Sequence, residues 1–75
     1  MITGDQVSMA RKLLGWSRIT LSARSGVSEV TIDKIERDRL CTHAAREAPN
    51  IAAIKRALEL TGVEFTLQQP GVKLR

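Results

Sequence analysis

Apolar residues recur at helical spacing in four stretches of the chain and then switch to strict alternation. Ahead of the first stretch, Thr3 and Gln6 stand three apart. That is the spacing of a capping box, in which a hydroxyl accepts from the amide three residues on and the glutamine reaches back. Val7, Ala10, Arg11 and Leu14 then share one face up to Gly15, which predicts a first helix ending there. Ser17 is a second N-cap, before a short helix over Ile19–Ser25 that Gly26 stops. Ser28 is a third, opening a helix through Glu29–Arg37 whose Ile32 and Ile35 face inward. Only Gly26-Val27-Ser28 links the second and third helices, and so short a link forces a steep crossing.

Residues 38–48 show no clean period and are expected to form a loop with room for one helical turn. A fourth helix is expected from Pro49 or Asn50 to Leu60, with Ile51, Ile54 and Leu58 as its stripe and Gly62 as its stop. Val63-Glu64-Phe65-Thr66-Leu67 alternates, Gln69-Pro70-Gly71 turns, and Val72-Lys73-Leu74 alternates again, predicting a terminal β-hairpin. No internal repeat or linker divides the chain. Residues 1–62 are therefore expected to form the helical part of a single domain and residues 63–75 its hairpin.

Composition narrows the function. Seventy-five residues with 43% apolar content support one small core, and aromatic residues contribute only 3% of the chain, so that core is aliphatic. A walled substrate cleft of several hundred Å3 is not expected at this size. No run of about 20 apolar residues is present to span a membrane. Asp5, Arg11 and Lys12 interrupt the early apolar stretches, so no signal peptide is expected and the cytoplasm is the expected location. The net charge is +4, divided evenly between residues 1–40 and 41–75, with no basic tail or acidic arm. A mildly basic small domain suits a polyanionic partner. The lone Cys41 forms no internal disulfide, which fits a reducing compartment.

The run Leu14-Gly15-Trp16-Ser17-Arg18-Ile19-Thr20-Leu21-Ser22-Ala23-Arg24-Ser25-Gly26-Val27-Ser28, continued by Glu29-Val30-Thr31-Ile32-Asp33-Lys34-Ile35-Glu36, resembles the helix-turn-helix of Cro/C1-type (XRE-family) transcriptional regulators. Ala53-Ile54-Lys55-Arg56-Ala57-Leu58-Glu59 and Gly62-Val63-Glu64-Phe65 resemble the closing helix and strand of short regulators of that family, so the resemblance covers residues 3–65. Two positions depart from the family pattern: Ser22 stands where Ala is usual and Arg18 where Gln is usual. The resemblance implies a mainly all-α, lambda-repressor-like bundle of four helices with a short C-terminal β-hairpin, binding double-stranded DNA. It places Arg18 against a phosphate, helped by the amides at the start of its helix. It also implies a partly buried structural ion pair between Arg11 and Glu36 that locks the first helix to the third.

The third helix has one apolar and one polar face. Ser28, Glu29, Val30, Asp33 and Lys34 lie on its opening turns, which meet base edges when a helix-turn-helix docks in the major groove. Glu29 suits a cytosine amino group, Lys34 guanine O6 and N7, and Val30 a thymine methyl. Against this, acids in a first turn also complement the helix dipole. Two carboxylates facing DNA cost repulsion as well. Thr20, Arg24, Arg37 and Arg39 are weaker phosphate candidates than Arg18, which itself also reads as a solvated surface arginine. Trp16 is expected to cover the joint of the first two helices. Cys41 and His43 are too few to hold a metal and too poorly placed for nucleophilic catalysis, so neither a metal, a cofactor nor an enzyme is expected. The expected function is a sequence-specific regulator acting as a homodimer on an inverted repeat. The strands are its candidate interface, although the hairpin also suits folding back on its own first helix. The alternative is a protein-interaction module, such as an antitoxin whose third helix docks a toxin or another protein partner.

Overall fold

The computed structural model describes residues 2–37, 44–66 and 71–75, residues 44–47 by their backbone alone. Four helices are followed by two short strands: α1 (Gly4–Leu13), α2 (Arg18–Ser25), α3 (Glu29–Arg37), α4 (Ala44–Leu60), β1 (Val63–Phe65) and β2 (Val72–Leu74). The expected architecture of a four-helix bundle with a terminal hairpin is present.

Local signals set the first three helices. Thr3 Oγ1 accepts from the Gln6 amide at 3.1 Å while Gln6 Oε1 accepts from the Thr3 amide at 2.8 Å, completing the capping box of α1. Ser17 Oγ accepts from the Thr20 amide at 3.1 Å and Ser28 Oγ from the Thr31 amide at 3.2 Å, so both serines cap as expected. Each satisfies an amide that its helix leaves without a partner. Gly26 ends α2 in the left-handed region at φ +76°, where a side chain would be strained. Ser25 reinforces this turn by donating to the Leu21 carbonyl at 2.7 Å and accepting from the Val27 amide at 3.2 Å.

The fourth helix departs from expectation. Ala44 to Ala48, expected to be loop with room for one helical turn, are helical and continuous with the fourth helix, and Pro49 lies inside α4 instead of at its start. Ala44, Ala45 and Ala48 have the highest intrinsic helix propensity of any residue type. Pro49 forgoes one backbone bond, to the carbonyl four residues earlier, and the helix carries that loss on its exposed side. β1 is also shorter than expected, ending at Phe65. One further bond, Thr66 N to the Gly71 carbonyl at 2.8 Å, carries the pairing past it. Leu67, Gln69, Pro70, Arg39, Cys41 and His43 lie outside the described residues.

The core is aliphatic, as composition implied. Val7, Leu21, Ile32, Ile54, Leu58 and Val63 are fully enclosed, and Val27 plugs the elbow between α2 and α3. The strands pair antiparallel with Val63 opposite Leu74, Glu64 opposite Lys73 and Phe65 opposite Val72. β1 packs on α4 and β2 on α1, so the hairpin folds back on its own chain, the second of its two anticipated placements. Gln6 fastens it there. Its Nε2 donates to the Thr66 carbonyl at 3.1 Å and the Gly71 carbonyl at 3.0 Å, while its Oε1 still serves the helix cap. Gly71 permits this approach: a β-carbon there would stand 3.1 Å from Gln6 Nε2, and its φ is +88°.

Replacing Gln6 with Ala removes the reciprocal arm of the cap and both bonds to the hairpin. At about 1 kcal/mol per bond, urea denaturation should show a loss of about 1–3 kcal/mol. An unchanged midpoint would contradict the clamp.

Candidate nucleic-acid interface

The crossing of α2 and α3 presents one helix outward and ties the other behind it. On α3, Ile32 and Ile35 are buried, while Glu29, Val30, Lys34 and Arg37 are exposed and Asp33 is half-buried. Val30 is 72% exposed, on the same outward side as Glu29 and Lys34. A β-branched apolar side chain so placed gains nothing from the core and leaves a methyl-bearing contact free for a partner.

Ser28 is committed to the cap. Besides accepting from Thr31 N, its hydroxyl donates to Thr31 Oγ1 at 2.9 Å. Its place at the start of α3 matches expectation, but its hydrogen-bonding capacity is partly engaged. Thr20 is similar, with its Oγ1 3.1 Å from Ser17 Oγ. Arg24 is exposed and its guanidinium carbon lies 5.6 Å from the centre of the Trp16 ring, a cation–π separation. Trp16 is partly buried and packs against the core, as a cover for the joint should.

Behind this surface, Arg11 and Glu36 meet with side-chain exposures of 10% and 5%. Arg11 Nε donates to Glu36 Oε2 at 2.8 Å and Nη2 to Oε1 at 3.1 Å, a two-pronged contact that fixes both side chains. The third nitrogen, Nη1, donates to the Trp16 carbonyl at 2.9 Å. One guanidinium thus ties α1, the α1–α2 joint and α3 together. Among the described residues no buried side-chain nitrogen or oxygen lacks a partner, which is the condition under which such a pair is tolerated in a core.

Arg18 was expected at a phosphate. In the structure its Nε lies 3.3 Å from Glu36 Oε1 and 3.8 Å from Asp33 Oδ1, and its side chain remains 46% exposed. Arg37 pairs with Asp33 one helical turn before it, Nε to Oδ2 at 3.0 Å. Asp33 and Arg37 stand four apart on one helix, a spacing that brings their side chains together. The bridge from Arg18 crosses between helices and was not visible in the sequence. Ile19, 64% exposed beside Arg18, was also not singled out, since nothing in its local pattern marks it. Among the described residues no three His, Cys, Asp or Glu side chains group as a metal site. No helix described is long and apolar enough to cross a membrane.

In comparison with known families, residues 7–68 match the family described as helix-turn-helix, which is most of the chain and includes the whole α2–α3 unit. The chain belongs to the Cro/C1-type (XRE) helix-turn-helix family. Members of this family are DNA-binding regulators, and α2–α3 is the motif that defines them. No curated protein and no solved structure matches the chain.

The buried pair yields a stability prediction. Glu36→Gln leaves the Arg11 charge without its counter-ion, and breaking a buried pair from one side costs about 3–5 kcal/mol. For a domain of this size that lowers the melting temperature by about 12 °C or more. A melt that superimposes on the wild type would exclude the locking role.

Proposed function

We propose that this chain is a sequence-specific transcriptional regulator that binds an inverted-repeat operator as a homodimer, with the exposed side of α3 in the major groove. The observation that carries this reading is the outward row Glu29–Val30–Lys34, held on a helix whose opposite side is pinned by Ile32, Ile35 and the Arg11–Glu36 pair. Rigid backing matters because base discrimination depends on side chains held in one orientation.

In this reading Lys34 donates to guanine O6 and N7, Glu29 accepts from a cytosine amino group and Val30 packs on a thymine methyl. Ser28 starts the helix at the groove. Arg18, Thr20, Arg24 and Arg37 meet the backbone on either side, as does Arg39 beyond α3. One such helix reads only a few base pairs, and a second copy related by a two-fold axis multiplies the discrimination. Extents of 29 × 25 × 17 Å let two copies lie side by side on successive major grooves, about 34 Å apart. The surface also suits a second copy. Leu13 is half-exposed and lines a shallow groove with Met9, Lys12 and Val72, and Leu74 extends the same side of β2 into solvent.

The alternative, a module whose α3 docks a protein partner, drew its support from two carboxylates on the helix that should face phosphate. One of those, Asp33, is paired with two arginines, which removes most of that objection.

Selection of binding sites from random duplexes tests the proposal. It should enrich a palindromic motif bound by two chains per duplex. Affinity for that motif should fall by orders of magnitude between about 50 and 200 mM salt. Failure to enrich any motif, with binding insensitive to salt, would favour the protein-docking module instead.

A further inference from the structure

Five charged side chains of the three N-terminal helices form one alternating series from the core to the surface. Arg11 holds Glu36. Glu36 Oε1 also takes Arg18 Nε at 3.3 Å, Arg18 Nε faces Asp33 Oδ1 at 3.8 Å, and Asp33 Oδ2 takes Arg37 Nε at 3.0 Å. Arg11 and Glu36 are buried, Arg18 and Asp33 are 46% and 35% exposed, and Arg37 is 80% exposed. Three guanidiniums against two carboxylates leave the series with one net positive charge.

Asp33 occupies the decisive place in it. Each of its oxygens faces one arginine, and the two arginines come from different helices. We propose that Asp33 is a positioning residue for the DNA backbone: it holds Arg18 of α2 and Arg37 of α3 as a pair of guanidiniums beside the recognition helix, and does not itself read a base. This inference rests on the reading that α3 docks in the major groove.

Three physical points support it. A carboxylate aimed at base edges among phosphates is repelled, whereas one flanked by two guanidiniums is locally neutralised. Both arginines meet Asp33 through Nε, one of five donors on a guanidinium, and the terminal nitrogens are the donors a phosphate takes in a fork. A long side chain already held in place also loses less freedom when it meets a phosphate. The same Arg18 Nε donates to Glu36 Oε1 at 3.3 Å, so Glu36 and Asp33 together hold Arg18 and its placement is linked to the buried pair with Arg11.

The test is the affinity of wild type, Asp33→Asn and Asp33→Glu for a selected duplex and for a random-sequence duplex, with thermal melts confirming that the variants are folded. Removing a negative charge near DNA should by itself strengthen binding. The positioning role predicts the opposite sign. Asp33→Asn should weaken binding to both duplexes by the same factor, up to about fivefold, the equivalent of one exposed ion pair. The preferred motif should not change, and Asp33→Glu should recover most of the loss. Tighter binding by the Asn variant, or a changed base preference at one motif position, would overturn the proposal while leaving groove docking intact. If the wild type itself binds neither duplex, the docking reading fails and this inference falls with it.

Discussion

A single guanidinium carries much of the geometry of this chain. Arg11 sits where an apolar residue would continue the inner stripe of α1, and it reaches Glu36 on α3 and the Trp16 carbonyl ahead of α2. Burying both charges is unfavourable in itself, so the contact is tolerated only because each nitrogen of the guanidinium finds an acceptor. What the pair supplies is direction. Apolar packing at Ile32 and Ile35 holds α3 against the core, but packing alone allows a short helix to roll or slide. A two-pronged ionic contact near its C-terminal end is satisfied at one angle only.

That restriction reaches the surface through shared acceptors. Glu36 Oε1 serves Arg11 inside and Arg18 outside, and Asp33 links Arg18 to Arg37. The orientation of the outward row on α3 and the placement of its flanking arginines therefore have a common origin in the core. Membership of the Cro/C1-type family accounts for the α2–α3 unit. The departure from the family pattern at Arg18 is where this chain adds its own feature, since an arginine there reaches two carboxylates at once. The C-terminal strands are fastened separately, by Gln6, which closes the helix cap and the hairpin with one amide group.

How much of this was legible in the sequence follows from how local each cause is. Thr3, Ser17, Ser28 and Gly26 act within three residues of themselves, and α1, α2 and α3 were read from them with only small shifts at the ends. The start of α4 was hidden because Pro49 looks like a boundary, while three alanines beside it favour helix without any periodic stripe to announce it. The Arg11–Glu36 pair was accessible only through family resemblance, as no spacing rule links positions on different helices. The Gln6 clamp spans some sixty residues of chain and left no local trace. Of the outward-facing side chains, Glu29, Val30 and Lys34 followed from helical periodicity. The engagement of Asp33 by Arg18 depended on the crossing of α2 over α3, which the turn length implied in kind but not in side-chain detail.

In the proposed reading the exposed side of α3, backed by α2, is the surface that enters DNA. Backbone amide NMR during titration with a selected operator duplex tests this most directly. The largest shifts should fall on Arg18–Thr20 and Ser28–Lys34, while α4 and the outer strand β2 change little. Shifts concentrated on α1 and β2, with Glu29, Val30 and Lys34 unmoved at saturation, would contradict it.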